Sequence, residues 1–389
     1  MNFDFDTVID RHGTDAVKIE ALVEHFGRKD LIPLWVADMD FKTPEVVRTA
    51  LSNCLDIGIY GYSSTPESYY ASILKWEKDI NDLHLRRKEI CYIPGIVRGI
   101  SFALQCFSSP GDPIIIQPPV YMPFERLVRE NGRKLVENPL VYVDGNYSMD
   151  FDNFEELCRT ERPRMFILCN PHNPSGRVWD RESLSNIAEI CRKYGVLVVS
   201  DEIHGDMPLF GNRFHSFSGV SDSAAEVSIT FKAPSKTFNI AGFMSSYAIV
   251  KNESVRERFF KYLSSNEFDA PPLVAAVATH EAYERARDWR NEMLKYIEGN
   301  VRFVSEYLER NIPRIRPVIP QASFLIWLDC KELHLSHNDL TDLFINKARL
   351  ALNDGADFGT GGDGFMRLNV GCPRSILETA LNQLKNALE

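Results

Sequence analysis

Four short segments in the middle of the chain are uniformly apolar or β-branched: residues 113–117 (PIIIQ), 165–169 (MFILC), 196–200 (VLVVS) and 227–231 (VSITF). None alternates apolar with polar positions. Each therefore reads as a strand buried on both faces, as in a parallel sheet covered by helices. Between the second and third lies a helical segment, 181–194, with Asp180 to cap its start and Gly195 to end it. A further helix is predicted over about 66–80, with Thr65 as N-cap and Pro66 at its first position. Another follows Pro94-Gly95 and runs through 98–107. Strand–helix–strand alternation over 90–250 predicts an α/β domain built on a mostly parallel sheet.

The last hundred residues have a different pattern. A long helical stretch, 282–309, precedes predicted strands at 323–328 (SFLIWL) and 364–370. The division expected is a turn-rich N-terminal segment (1–45) packing on the small domain, a large domain (46–285), and a smaller α/β domain (286–389).

Composition narrows the functional classes. Of 389 residues, 44% are hydrophobic and 25% charged, enough apolar material for a core that encloses a ligand site. The net charge is −10 with no Lys/Arg block, which argues against nucleic acid or an anionic membrane as partner. No apolar run approaches the roughly 18 residues that span a bilayer. The start, MNFDFDTVID, lacks the pattern of a signal peptide. The eight cysteines are scattered without a C-x-x-C pair, as expected of reduced thiols in a cytoplasmic protein, and no metal site is indicated.

In open parallel sheets, ligands bind beyond the carboxyl ends of the strands. After PIIIQ comes Tyr121; after MFILC, Asn173 in NPHNPSG; after VLVVS, Asp201 and His204 in DEIHGD; after VSITF, Lys236 in KAPSK. Singly, each has an ordinary explanation: a packed ring, a turn, a cap, a solvated lysine. Together they match the needs of pyridoxal phosphate. Its aldehyde condenses with a lysine amine. Its ring nitrogen needs a carboxylate partner. Its phenolic oxygen takes an amide donor, and its ring face an aromatic neighbour. The backbone at Gly95, Ile96 and Val97, at the start of a helix, suits the phosphate.

With these residues in place the chain resembles the fold-type-I pyridoxal-phosphate enzymes, the aspartate aminotransferase superfamily, over nearly its whole length. Within it the chain is most similar to the C–S β-lyase branch of cystathionine β-lyase and cystalysin type. The stretches FDFDTVIDRHGTDAVK, WVADMDF, GYSSTPESYY, SDEIHGDM and APSKTFNIAG carry that likeness. The resemblance implies a large pyridoxal-phosphate-binding domain and a smaller C-terminal domain. It implies catalytic roles for Lys236, Tyr121 and Asp201. It implies cofactor contacts from Asn173, His204, Ile96, Val97 and Ser235, and substrate contacts from Arg367 (in FMRLNVG), Tyr121 and Ala37. It also implies a homodimer in which Tyr62 reaches the neighbouring subunit's phosphate.

Two positions depart from the aminotransferase pattern. Ala233 and Met244 stand where a phosphate-binding Ser and Arg are common. Ser235 and backbone amides, with Lys232 as a further cation, are the candidates to replace them. The reaction implied is α,β-elimination of a sulfur amino acid to thiol, pyruvate and ammonia. Two alternatives remain: an aminotransferase using the same lysine site, and a binding protein on a retired enzyme fold.

Overall fold

A computed structural model describes residues 3–389. Seven strands form the central sheet: β1 (Ile90–Ile93), β2 (Pro113–Ile116), β3 (Lys134–Glu137), β4 (Met165–Cys169), β5 (Leu197–Asp201), β6 (Ser228–Lys232) and β7 (Ser246–Ile249). Their spatial order is β1-β7-β6-β5-β4-β2-β3. Strands β2 to β6 are mutually parallel, and β7 runs antiparallel between β6 and β1.

The uniformly apolar strands follow from burial on both sides. Ile114, Ile116, Met165, Ile167 and Val199 feed one core layer. Ile115, Phe166, Leu168 and Val198, one residue out of step, feed the other. Successive side chains leave a strand on opposite faces, so a sheet covered on both faces needs apolar residues at every position.

Seven helices matter here: α1 (Glu45–Leu55), α2 (Glu67–Asn81), α3 (Ile96–Phe107), α4 (Arg181–Tyr194), α5 (Leu273–Arg285), α6 (Arg287–Asn311) and α7 (Arg374–Leu388). Helix α4 has the predicted limits: Asp180 accepts from the Ser183 amide, and Gly195 takes the left-handed conformation at φ 69°. Helix α3 follows Gly95 directly and ends at Phe107, as expected. Two expectations needed correction. Helix α2 starts at Glu67 with Pro66 in the capping position and no side-chain cap, so Thr65 does not cap it. The stretch 282–309 is not one helix, because the chain breaks at Ala286 between α5 and α6. No Gly or Pro marks that break.

A second sheet contains β8 (Arg316–Val318), β9 (Leu325–Asp329), β10 (Asn353–Asp354) and β11 (Phe365–Asn369), antiparallel in the order β8-β9-β11-β10. Helices α6 and α7 pack together beside it. Near the N-terminus, Ile32–Pro33 pairs in parallel with Leu350–Ala351. Residues 35–41 then cross from this second unit to the carboxyl edge of the central sheet. Among the described residues, no helix is long and apolar enough to cross a membrane.

Candidate active site

The register of the parallel strands sets Cys169 beside Asp201, and Asp201 beside Phe231. The loops leaving these ends therefore open on the same side. They enclose a cavity of about 190 Å³ whose wall includes Tyr121, Asn173, Asp201, His204, Ser235 and Lys236. Ala37 reaches the same wall from the 35–41 segment, and Gly95, Ile96 and Val97 contribute the start of α3.

Lys236 is enclosed, and its amine donates to the Ala37 carbonyl. Burial lowers its pKa to about 8; Asp38 and Asp201 oppose that shift, while Arg367 adds to it. Asp201 is pushed up to about 6 by burial, against the pull of the Ile203 amide and of Lys236. It remains mostly a carboxylate at neutral pH. One of its oxygens accepts from Ile203 N at 3.1 Å, and the other takes no hydrogen bond among the described residues.

Asn173 is bonded through its oxygen, which accepts from Arg367 Nη1 at 3.0 Å. Its amide NH₂ donates to no acceptor among the described residues, which leaves a free donor on a residue of the cavity wall. Arg367 is buried. Its Nη2 donates to the Trp35 carbonyl at 2.9 Å and to Asn353 Oδ1 at 2.5 Å, and its Nε has no partner among the described residues. Burial lowers its pKa to about 10, so the guanidinium is still charged at neutral pH. A buried cation with an unspent donor suits a carboxylate ligand. Burial, with Asp201 nearby, raises the Tyr121 pKa, so its hydroxyl remains a proton donor.

His204 lines the cavity; its Nδ1 has no partner among the described residues, and burial lowers its pKa to about 3, leaving a neutral ring. One sequence expectation fails here: Lys232 is no cavity cation. It is buried, with Nζ 2.6 Å from Glu77 and 4.0 Å from Asp206. A buried ammonium requires a carboxylate, and Glu77 on α2 supplies it. Tyr62 is fully exposed and does not line the cavity of its own chain.

Three asparagines that sequence reading did not single out hold the site together. Asn239, at φ 57°, donates to the carbonyls of Met39 (2.8 Å) and Phe41 (2.9 Å) and accepts from Met39 N (3.1 Å). Asn369 donates to Val36 O and Asp38 O at 2.6 and 2.7 Å. Asn353 accepts from Arg367. A signal for one of them was present: Arg367 and Asn369 lie two residues apart on β11, hence on one face.

The donor set fits pyridoxal phosphate. An enclosed amine, a buried carboxylate with a free oxygen and an amide with a free NH₂ line a single cavity. The amides of Ile96, Val97 and Arg98 precede the first i→i−4 bond of α3, which runs from Gly99 N to Gly95 O, so they can meet an anion.

Residues 29–384 match the family model described as aminotransferase class I and II. The chain is 40% identical over 384 residues to cystathionine beta-lyase PatB of Bacillus subtilis, covering 99% of each. Among solved structures it is similar to a PLP-bound putative aminotransferase from Clostridium difficile 630, with a TM-score of 0.97 and 36% identity over all of both chains. It is also similar to cystalysin from Treponema denticola, which contains a pyridoxal 5'-phosphate cofactor, with a TM-score of 0.96, 34% identity, and 100% and 99% coverage.

Proposed function

The chain belongs to the class I and II aminotransferase family, and from that premise we propose that it is a pyridoxal-phosphate-dependent C–S β-lyase. It acts on a sulfur amino acid of the cystathionine or S-substituted cysteine type and yields thiol, pyruvate and ammonia. The geometric observation that carries this is the convergence of the Lys236 amine, Asp201 and Asn173 on one cavity, with the Arg367 guanidinium bonded to Asn173 behind its wall. The likeness to PatB over 99% of both chains favours elimination over amino transfer.

When bound, the cofactor supplies an aldehyde for Lys236 and a ring that withdraws the electron pair left at the substrate Cα. The protein does the rest. Arg367 supplies the charge for the substrate carboxylate through its unspent donors, its position fixed by Asn173, Trp35 and Asn353. Lys236, neutral above about pH 8 and close to the substrate, takes the proton from Cα. Asp201 would hold a negative charge for the ring nitrogen, and the Asn173 NH₂ would serve the phenolic oxygen. Tyr121 would pack its ring on the cofactor and, still protonated, would deliver a proton to the departing sulfur. A thiol, with its pKa of ~8.5, leaves far more readily than hydroxide.

We take the working unit as a homodimer in which Tyr62 completes the neighbouring subunit's site. Leu55, Ile57, Ile59, Tyr60 and Tyr62 form an exposed apolar stretch, with Ile59 79% exposed, as expected of a surface that a second copy covers. We place the protein in the cytoplasm, in keeping with eight unpaired cysteines, seven of them buried.

Amino transfer is the second reading. It would use the same residues, and the Clostridium difficile neighbour bears that designation. Incubation with L-cystathionine, with and without a 2-oxo acid, separates the two. The lyase yields homocysteine without the oxo acid; an aminotransferase turns over only with it.

A further inference from the structure

A phosphate ester carries about −1.5 to −2 charges at neutral pH, whereas a helix N-terminus offers only about +0.5. The cavity wall at Gly95, Ile96 and Val97 includes no arginine, and Lys236 is its only lysine. That lysine is committed to the aldehyde, Arg367 is held by Asn173, Trp35 and Asn353, and Lys232 is spent on Glu77.

One further cation stands at the rim. Arg98, the third residue of α3, places Nη1 3.2 Å from the Pro94 carbonyl and 2.8 Å from Met244 Sδ. Met244 itself lines the cavity. Its backbone is a fixed platform, with N donating to Ala241 O at 3.1 Å and O accepting from the Tyr92 hydroxyl at 3.1 Å. Among the described residues Arg98 makes no ion pair, and its Nε and Nη2 donate to no protein acceptor. A thioether is a weak acceptor, so little is lost when the guanidinium leaves it for an anion.

We propose that Arg98 is the cation that completes the phosphate grip of the cofactor site, acting from the Met244 rim together with the amides that open α3. This rests on the pyridoxal phosphate site proposed above. It also gives Met244 a role, as the surface on which a guanidinium rests from another part of the chain.

The test compares pyridoxal phosphate with pyridoxal, which has the same ring and aldehyde but no phosphate. Full-length wild type, Arg98→Ala and Arg98→Lys are equilibrated by dialysis against graded concentrations of each compound. Retained compound is read by absorbance, and borohydride fixation on Lys236 by peptide mass. Arg98→Ala is expected to weaken pyridoxal phosphate roughly 10- to 100-fold, the size of a lost charge-assisted contact, and to leave pyridoxal binding unchanged. Arg98→Lys is expected to fall between. Because Arg98 is exposed, the melting temperature without cofactor should stay at the wild-type value. Unchanged pyridoxal phosphate affinity in Arg98→Ala overturns the proposal, as does equal weakening for both compounds. A raised KM for substrate with cofactor affinity intact also overturns it and assigns Arg98 to the substrate. If the wild type neither binds nor fixes pyridoxal phosphate, the cofactor site itself is wrong, an outcome distinct from failure of Arg98 alone.

Discussion

Arg367 Nη1 donates to Asn173 Oδ1 at 3.0 Å across 194 residues of sequence. This bond links β11 of the second sheet to the loop after β4 of the central sheet. It engages the Asn173 amide through its oxygen and leaves the NH₂ as the free donor. It also anchors the cation that receives the substrate. Arg367→Lys keeps the charge but loses the planar, pre-positioned guanidinium. KM for the amino acid should rise roughly 10- to 100-fold, as for loss of a charge-assisted contact, with cofactor content unchanged. Steady-state kinetics beside a cofactor assay would check this.

Lys236 should show its depressed basicity directly. With a pKa of about 8, the amine gains nucleophilicity as pH rises toward that value and levels off above it. The rate of cofactor fixation on Lys236, followed from pH 6 to 10 by borohydride trapping (about a 10⁴-fold range of proton activity), should trace that curve. Asp38 is the largest influence holding the value up. Asp38→Asn should therefore move the midpoint to lower pH, whereas movement upward would contradict the assigned environment.

The segment 35–41 carries Ala37 to the lysine, and Asn239 holds it through three hydrogen bonds. Asn239→Gly keeps the left-handed backbone open to the residue while removing the side chain. A loss of about 1–3 kcal/mol in denaturant unfolding is expected, as for buried donors and acceptors left unmatched. Asn239→Ala should cost more, since it adds strain at φ 57°.

Lys232 and Glu77 form a buried ion pair, and neither residue lines the cavity. Lys232→Met leaves Glu77 buried without its counter-charge and should destabilise by about 3–5 kcal/mol. Adding Glu77→Gln should recover much of that loss. In the double variant, pyridoxal phosphate affinity should match the wild type, because Lys232 takes no part in holding phosphate.

Acid should destabilise the protein through its neutral buried imidazoles. His172 and His204 have folded pKa values lowered to about 3 by burial. Between that value and the unfolded value near ~6.5, the unfolded chain binds more protons. Stability attributable to these rings is therefore present above pH 6.5 and falls as pH drops through the window. Melting curves at pH 7 and pH 5 would show the loss, and His204→Asn should reduce it.

Much of this architecture was legible because its cause is local. Strands with no polar face, such as MFILC, announce a sheet covered on both sides. The residues just past their ends must then meet in space, so Tyr121, Asn173, Asp201 and Lys236 could be grouped before any contact was known. What escaped depends on contacts distant in sequence. Lys232 lies four residues before Lys236 and looked like part of the same apparatus. Only the fold shows that its side chain meets Glu77 from α2, 155 residues away. The break at Ala286 carries no Gly or Pro to mark it. The asparagines 239, 353 and 369 act on backbone carbonyls of a segment whose position no local pattern reveals. Nothing local singles out Arg98, because the sulfur it rests on arrives from residue 244.

The central claim is that this site expels sulfur rather than exchanging amino groups. Its most direct measurement is the product stoichiometry from L-cystathionine with the purified, cofactor-loaded protein and no added 2-oxo acid. Pyruvate and free thiol appearing one for one, through many turnovers, and abolished by Lys236→Ala, is the predicted result. No thiol without a 2-oxo acid, and amino transfer to that acid when it is supplied, would contradict the account.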